Sequence, residues 1–247
     1  MFVKTLSVVI SVIAFAGCSS FSEWTLREGQ HPQRFEKQIT QTVGAKFLLY
    51  LPKSFTAESK PWPLIVFLHG SGERGDDLEK VKLHGPPKLM ENQEEFPFIV
   101  VSPQCPEDSR WSVEILHALL NEVIDRLPID TDRVYLTGLS MGGFGTWNFA
   151  LAYPNRFAAI APICGGGTLD GICRLKNIPV WAFHGAKDEV VKVVESERMI
   201  EALKRCGGEA QLTVYPGVGH DSWSETYANH ELYKWFLEHK RKPTQGK

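Results

Sequence analysis

The sequence predicts an α/β fold in which a mostly parallel central sheet carries helices on both faces. Its length of 247 residues lies in the range of a single domain of this class. Several short runs of β-branched and aromatic residues are almost continuously apolar, as strands of a sheet that is covered on both faces must be. Helical segments lie between the later runs, and such alternation is typical of a parallel sheet.

Seven apolar runs are the predicted strands, and four segments are the predicted helices, the first of which has one apolar face. The strands are expected at residues 46–51, 63–68, 98–102, 133–137, 157–162, 178–183 and 211–215. Ser112 is expected to cap the first helix, which extends to Leu127. The others are expected from Ser140 to just before Pro154, at 193–206 and at 225–239.

The composition excludes several classes of protein. With 43% hydrophobic and 23% charged residues, the chain is neither disordered nor a multi-span membrane protein. The formal net charge is −2, and no run of lysine and arginine stands out. Nucleic-acid binding is therefore not expected, because it depends on a concentrated positive charge.

The first residues have the pattern of a secretory signal peptide. Lys4 precedes an apolar segment that is shorter than the roughly 20 residues needed to cross a bilayer. The sequence FAGC at 15–18 resembles a bacterial lipobox, with Phe15 in place of the usual leucine. A lipid is therefore expected on Cys18, and the alternative is an ordinary signal peptide with a cysteine nearby.

The expected organisation is a signal peptide at 1–17, a polar tether at 18–40 and one folded domain at 41–247. The protein is then exported and anchored to a bacterial membrane through its N-terminal lipid only. The sequence leaves the oligomeric state open.

Four further cysteines could form disulfide bonds in an exported protein. Three pairings are possible, and Cys164 with Cys173 is favoured because the two flank a glycine-rich loop. The alternative is that these cysteines are small buried apolar residues. None of the four, which include Cys105 and Cys206, has the spacing of zinc ligands.

The strongest motif is GLSMGG at residues 138–143, which lies between a predicted strand and a predicted helix. It fits the G-x-S-x-G pattern of a nucleophile elbow in the structural context that this pattern requires. A sharp turn there would expose the hydroxyl of Ser140, and the glycines would let the backbone pass close to its neighbours. Ser140 is therefore the candidate nucleophile.

A serine nucleophile needs a base, and the base needs an acid that orients it. On this architecture both are expected later in the chain, each in a loop after a strand. Asp188 follows the strand at 178–183 directly and is preferred to Glu189 and Asp170. His220 follows the last predicted strand in a glycine-flanked loop and is the candidate base.

Two backbone N–H groups are expected to hold the oxyanion of an acyl-transfer reaction. One is that of Met141, the residue after the nucleophile, and the other is that of Ser71, in the loop after an early strand. Gly72 is the alternative to Ser71. His69 and His184 each precede a glycine at a strand end and are interpreted as scaffold.

These residues together resemble the α/β-hydrolase superfamily. The sequences HGSGERG at 69–75, PQCP at 103–106 and GHDSW at 219–223 resemble its bacterial carboxylesterase/phospholipase-type branch, whose members include predicted peptidases and dienelactone-hydrolase-like esterases. The resemblance implies an α/β-hydrolase fold for the catalytic domain. It also implies ester hydrolysis through an acyl-enzyme, without a metal or an organic cofactor.

The surroundings of the site are expected to be open. About 15 residues separate Pro162 from Ile178, too few for the helical cap that many lipases insert there. The connection at 71–97 could wall a substrate pocket, and Glu73 and Arg74 are interpreted as a pair that makes it rigid. The alternative is that this pair binds a polar group of the substrate.

Two tryptophans are candidate substrate-binding residues. Trp111 and Trp223 are expected in loops at the carboxyl ends of strands, where ligands of open sheets bind, although packing is an equally good interpretation. Trp147 and Trp181 are expected in the core.

The predicted function is hydrolysis of carboxylic esters of short to medium acyl chain, with a small-molecule or oligosaccharide ester as the substrate. One alternative is a serine peptidase or amidase of the same fold. An alternative of another class is a surface lipoprotein that binds without catalysis.

Overall fold

The computed structural model describes residues 40, 42–56, 60–91 and 96–241 of the chain. Contacts between residues define a compact unit, Val43–Lys247, to which the features below belong. The predicted signal peptide, Cys18 and all of the predicted tether except Thr40 lie outside the described residues. Among the residues described, no helix is both long enough and apolar enough to pass through a bilayer.

Seven strands form one sheet in the order β1-β3-β2-β4-β5-β6-β7. Only β1 is antiparallel to its neighbour among these strands, and the other pairs are parallel. The predicted fold class is confirmed. The strands are β1 Phe47–Tyr50, β2 Trp62–Leu68, β3 Ile99–Pro103, β4 Ile129–Leu139, β5 Ala159–Ile163, β6 Val180–Gly185 and β7 Ala210–Tyr215.

The continuous apolar character of the strands reflects a core on each face of the sheet. Along β2, Leu64, Val66 and Leu68 belong to one buried cluster, whereas Ile65 and Phe67 belong to the other. The first cluster packs against helices α2 Val113–Arg126, α3 Met141–Ala152 and α4 Val194–Arg205, and the second against α1 Gly85–Met90, α5 Trp223–Ala228 and α6 His230–Glu238.

Most predicted boundaries lie within two residues of the observed ones, but α1 and the 3-10 helices were not predicted, one predicted helix is divided, and β4 starts earlier. The single helix predicted at 225–239 is two helices, because Asn229 has an extended backbone and its side chain accepts a hydrogen bond from the N–H of Glu231. Asparagine favours this capping geometry over a helix interior. Strand β4 begins at Ile129, four residues before the predicted start. The three residues that follow Ile129 are polar, so they do not continue the apolar run from which the strand was predicted.

The connections beside the sheet match the expectation of an uncapped fold. Between β5 and β6 the chain forms one short 3-10 helix, Ile172–Leu175. In the described part of the connection from Ser71 to Pro97 there are two more, Ser71–Glu73 and Leu78–Leu83, followed by α1.

The predicted Cys164–Cys173 pairing is wrong. Cys173 forms a disulfide with Cys206, at a Cα–Cα distance of 5.2 Å, whereas Cys164 and Cys105 are buried free thiols. The reason lies in the packing, because the 3-10 helix that carries Cys173 lies against α4, and Cys206 is the C-cap residue that follows α4. Cys164 instead lies directly after β5, beneath the candidate site.

Candidate active site

Ser140 occupies the sharp turn between β4 and α3. Its backbone angles are φ 52° and ψ −115°, which a residue other than glycine rarely adopts. Such a conformation costs about 1–3 kcal/mol and persists where the surroundings hold it. Here the N–H of Ser140 donates to the Ile163 carbonyl at 2.9 Å, and the Ser140 carbonyl accepts from the N–H of Phe144 at 3.1 Å.

The glycines of the motif are required because the turn passes close to other backbone. A Cβ atom at Gly142 would lie 1.9 Å from the carbonyl oxygen of Leu68, and one at Gly138 would lie 2.4 Å from the carbonyl oxygen of Gly142. These neighbours are main-chain atoms, which cannot rotate away as a side chain can. The sequence pattern therefore reflects a steric requirement of the elbow.

His220 lies between Ser140 and Asp188, within hydrogen-bond distance of both. Its Nε2 atom is 2.9 Å from Ser140 Oγ, and its Nδ1 atom is 2.7 Å from Asp188 Oδ2. The structure thus brings together the three residues that the sequence predicted, although they are far apart along the chain. A neutral imidazole that donates from Nδ1 to Asp188 has its Nε2 lone pair free to accept the proton of Ser140.

Asp188 is fixed by the backbone of its own loop. Its Oδ1 atom accepts hydrogen bonds from the N–H groups of Val190 and Val191, both at 2.9 Å. Burial opposes ionisation of this carboxyl group, but the hydrogen bonds from His220 and from the two N–H groups outweigh it, and the pKa of Asp188 is lowered. Asp188 is therefore a carboxylate at neutral pH.

His184 supports the same loop from below. It is fully buried, and its Nε2 atom lies 2.8 Å from the Val191 carbonyl oxygen and 3.2 Å from Asp188 Oδ2. Its Nδ1 atom lies 2.8 Å from the hydroxyl of Ser196. These contacts agree with the interpretation of His184 as scaffold.

One group of side chains has donor atoms close enough to surround a metal ion. The donor atoms of Cys164, Asp188 and His220 lie within 4.8 Å of one another. However, burial raises the pKa of the Cys164 thiol to about 12, and a metal needs the thiolate. Since Asp188 and His220 also hydrogen-bond to each other, this group fits a proton-transfer site better than a metal site.

Met141 and Ser71 both line the cavity beside Ser140. Neither of their N–H groups donates a hydrogen bond to another described residue. Two unpaired N–H groups beside a candidate nucleophile are the donors that an oxyanion would need.

Hydrogen bonds of His69 and Trp111 fix the loop that carries Ser71. The N–H of Cys105 donates to Nε2 of His69 at 3.0 Å, and Nδ1 of His69 lies 2.6 Å from the Gly70 carbonyl oxygen. Trp111 donates from Nε1 to the His69 carbonyl at 3.3 Å. Trp111 lines a separate small cleft, so its position favours packing over substrate binding.

Trp223 lies beside the candidate base. Its ring is 5.2 Å from that of His220 and 5.5 Å from that of His84, both in edge-to-face contact. Its Nε1 atom is buried and has no hydrogen-bond partner among the described residues. Of the two tryptophans singled out from the sequence, Trp223 is the one that lies at the site.

The expected pairing of Glu73 with Arg74 is wrong. Arg74 donates from Nε to the Ser71 carbonyl at 3.0 Å and from Nη1 to the Ser109 carbonyl at 3.3 Å. Glu73 is buried. Its Oε2 atom lies 3.8 Å from Nδ1 of His69, and its Oε1 atom lies 3.7 Å from Nε2 of His84. Consecutive residues of this turn point in different directions, so Arg74 reaches the loop after β3 while the Glu73 carboxylate lies buried near two imidazoles.

The cavity beside Ser140 has a volume of about 410 Å³. Its wall includes Asp108, Ser109, Arg110 and Phe144, none of which was predicted from the sequence. The first three belong to the loop that follows β3, at the carboxyl end of a parallel strand. That position is where an open sheet binds ligands and is the signal that could have identified them.

Comparison with known proteins identifies the family of this chain. A sequence model of the family described as Phospholipase/Carboxylesterase matches residues 54–234. The bifunctional acetylxylan esterase/xylanase XynS20E of Neocallimastix patriciarum is 27% identical over 211 residues, which are 79% of this chain and 28% of that protein. Feruloyl esterase D of Neurospora crassa is 26% identical over 246 residues, 92% of this chain and 80% of that protein.

A solved structure is similar over much of the fold. A thermostable esterase superposes with a TM-score of 0.68 and 34% sequence identity, covering 79% of this chain and 59% of its own. The chain thus spans just over a quarter of XynS20E and under two thirds of the thermostable esterase, but four fifths of feruloyl esterase D.

Proposed function

The chain belongs to the phospholipase/carboxylesterase family, and from that premise we propose that it is a serine carboxylesterase that acts through an acyl-enzyme on Ser140. The class of enzyme predicted from the sequence, a carboxylic ester hydrolase, is the class of this family. One observation carries the proposal: Ser140, His220 and Asp188 form a continuous chain of hydrogen bonds of 2.9 and 2.7 Å.

In the first step, Ser140 Oγ attacks the ester carbonyl carbon while His220 Nε2 takes the hydroxyl proton. The oxyanion that forms is held by the N–H groups of Met141 and Ser71. The tetrahedral intermediate collapses, His220 gives the proton to the leaving alkoxide, and the alcohol departs. The acyl group is then esterified to Ser140.

In the second step, water attacks the acyl-enzyme and His220 Nε2 accepts a proton from it. Collapse of the second tetrahedral intermediate releases the carboxylic acid and returns the proton to Ser140. Asp188 remains ionised throughout, fixes the tautomer of His220 and stabilises the imidazolium in each transition state. Its Oδ1 atom is already held by two backbone N–H groups, so its orientation is set before substrate binds.

The cavity supports substrates with short acyl groups. Its volume of about 410 Å³ suits a small molecule, and most of its wall is polar rather than apolar. The names of two relatives, an acetylxylan esterase and a feruloyl esterase, support esters attached to carbohydrate as one source of substrate. A small-molecule or oligosaccharide ester is therefore the proposed substrate.

A chain-length series tests the proposal. The full-length chain is assayed with p-nitrophenyl acetate, butyrate, octanoate and palmitate, beside Ser140→Ala. We expect turnover of acetate and butyrate to exceed that of palmitate and to be lost in the variant. Equal activity of Ser140→Ala, with the protein folded, would exclude Ser140 as the nucleophile.

An ester and its matched amide separate the esterase from the peptidase alternative. We expect p-nitrophenyl butyrate to be cleaved much faster than butyryl p-nitroanilide. Faster cleavage of the anilide would favour an amidase. A folded protein that cleaves neither would favour the non-catalytic binding protein.

Export and a lipid on Cys18 belong to the proposal as well. They are supported by the apolar N-terminal segment and by the FAGC sequence at 15–18. In cells given radiolabelled palmitate, we expect the label on the wild-type chain in the membrane fraction and its loss in Cys18→Ala. A variant that stays labelled would contradict a lipid on Cys18.

A further inference from the structure

The cavity beside Ser140 is lined by two arginines that form no ion pair with a described carboxylate. Arg74 and Arg110 both line it, and neither has a described acidic group within ion-pair distance. Asp108 lines the same cavity, so the formal charge of the lining is +2 − 1 = +1. An unpaired arginine beside a reacting group is an available partner for a carboxylate of the substrate.

Arg74 is held in place before any ligand arrives. Two of its N–H groups donate to the carbonyls of Ser71 and Ser109, in loops that follow different strands. Since a guanidinium has five N–H donors, three are left for a ligand. The side chain is only partly buried, so a group in the cavity can reach it.

Arg110 provides the second positive charge of the cavity wall. It is exposed and makes no hydrogen bond or ion pair with a described residue. Its guanidinium is therefore not engaged by a described residue and is available to a ligand in the cavity, whose wall Arg110 helps to form. The N-terminus of α3, which begins at Met141 beside the same cavity, adds to the positive potential.

We propose that this cavity selects esters that carry a carboxylate, and that Arg74 and Arg110 bind that carboxylate while Ser140 attacks the ester. The inference rests on the proposed function, because it concerns the substrate of the same site. The cavity of about 410 Å³ also contains Ser140 and Met141, so the carboxylate and the ester belong to one small molecule or one substituent. The carboxylate could lie on the acyl side or on the alcohol side of the ester.

Two matched pairs of esters test both sides. On the acyl side, p-nitrophenyl hemiglutarate is compared with p-nitrophenyl valerate, which has a methyl group in place of the carboxylate. On the alcohol side, 4-acetoxybenzoate is compared with 4-acetoxybenzamide. Each kcat/KM of the full-length chain is divided by the rate at which hydroxide hydrolyses that ester, and the ratio of charged to neutral ester is the selectivity. We expect it to exceed one for at least one pair.

Charge variants identify the groups responsible. For the selected pair, we expect Arg110→Gln to lower the selectivity about threefold, as for an exposed ion pair. Arg74→Gln is expected to lower it about tenfold or more, because it removes hydrogen bonds to a charged group. Asp108→Asn removes the opposing charge and is expected to raise the selectivity about threefold. Arg126→Gln, at the far end of α2, removes the same charge from an exposed site and is expected to leave the selectivity as it is.

Ionic strength gives a second readout. Between about 10 mM and 1 M salt the Debye length falls from about 30 to about 3 Å, so the selectivity is expected to fall as salt rises. A purely structural role of Arg74 would lower the turnover of charged and neutral esters equally. That result, or a selectivity at or below one for both pairs, overturns the inference.

Failure of the inference differs from failure of the proposed function. The first leaves neutral esters cleaved and their cleavage dependent on Ser140. The second appears as no cleavage of any of the four esters, or as cleavage that persists in Ser140→Ala, and it overturns both proposals.

Discussion

At the scale of single residues, the site depends on a backbone conformation that its neighbours impose. Ser140 has a positive φ, and the atoms that crowd its turn belong to the ends of two other strands. The carbonyl of Leu68 ends β2, and that of Ile163 ends β5. The position of the nucleophile is therefore set by the packing of three parallel strands.

Replacing Gly142 with alanine tests this steric account. The new Cβ atom would lie 1.9 Å from the Leu68 carbonyl oxygen, so β2 or α3 must move. We expect the free energy of unfolding to fall by about 3 kcal/mol or more, measured by urea denaturation. Gly44→Ala is the control, since nothing lies within 4 Å of its added Cβ atom. Equal stability of the two variants would contradict the account.

Asp188 is the residue on which the orientation of His220 depends. The variant Asp188→Asn keeps the shape of the side chain but removes the charge that fixes the tautomer. We expect kcat to fall by about 10³- to 10⁴-fold, with KM changed little, in steady-state ester hydrolysis.

The neighbouring acid provides the matched control. Glu189 is exposed and was the alternative acid in the sequence analysis, so Glu189→Gln is expected to change kcat less than about twofold. A large loss in Glu189→Gln with a small one in Asp188→Asn would reverse the assignment.

At the scale of elements, the loop after β2 is tied to the loop after β3. The bond from the Cys105 N–H to Nε2 of His69 requires a neutral imidazole, because a protonated one has no lone pair to accept with. Burial, with a smaller effect of the Arg74 charge, lowers the pKa of His69 to about 4, against an opposing effect of its hydrogen bond to Gly70. The loop that carries Ser71 therefore depends on a histidine that stays neutral.

This loop contact predicts a loss of stability in mild acid. In the unfolded chain His69 is protonated below pH 6.5, whereas in the folded protein its lowered pKa keeps it neutral down to about pH 4. That difference of 6.5 − 4 = 2.5 pKa units corresponds to about 3 kcal/mol of unfolding free energy lost across this range.

Urea denaturation between pH 7 and pH 4 measures this loss. We expect His69→Gln to be less stable than wild type at pH 7 but to lose about 3 kcal/mol less over the range. His230→Gln, at an exposed histidine, is expected to follow the wild type. A pH dependence that is the same in all three proteins would show that His69 is not responsible.

At the scale of the whole molecule, the parts of the site meet at the carboxyl ends of the parallel strands. The loops of Ser71, Ser140, Asp188 and His220 follow β2, β4, β6 and β7, all of which run in the same direction. Groups that are distant in sequence meet because parallel strands end together. The disulfide between Cys173 and Cys206 closes the chain around β6, which carries the loop of Asp188.

Removing this disulfide is predicted to destabilise the entire fold. It links residues 33 apart, and a loop of that length contributes about 2–4 kcal/mol through the entropy of the unfolded chain. We expect the double variant Cys173→Ser, Cys206→Ser to lose about this much in urea denaturation. Reducing agent should destabilise the wild type but not the double variant, and equal sensitivity of the two would contradict the pairing.

The sequence was sufficient to predict the seven strands, the long helices and the residues that meet at Ser140. Strand runs, the G-x-S-x-G turn and the order serine, acid, histidine are local signals, and parallel topology converts them into a site. The pairing of Cys206 and the separate partners of Glu73 and Arg74 were not predicted, because they depend on how distant segments pack. Asp108 and Arg110 were not predicted to line the cavity, because no sequence motif marks them and only their position after β3 indicates it.

Covalent labelling tests most directly whether Ser140 is the nucleophile. A fluorophosphonate is incubated with the full-length chain, with Ser140→Ala and with His220→Ala, and the modified peptide is identified by mass spectrometry. We predict that wild type is labelled once, at Ser140, that Ser140→Ala is not labelled, and that labelling of His220→Ala is slower by orders of magnitude. Labelling of wild type at another residue, or equal labelling of wild type and Ser140→Ala, would contradict the account.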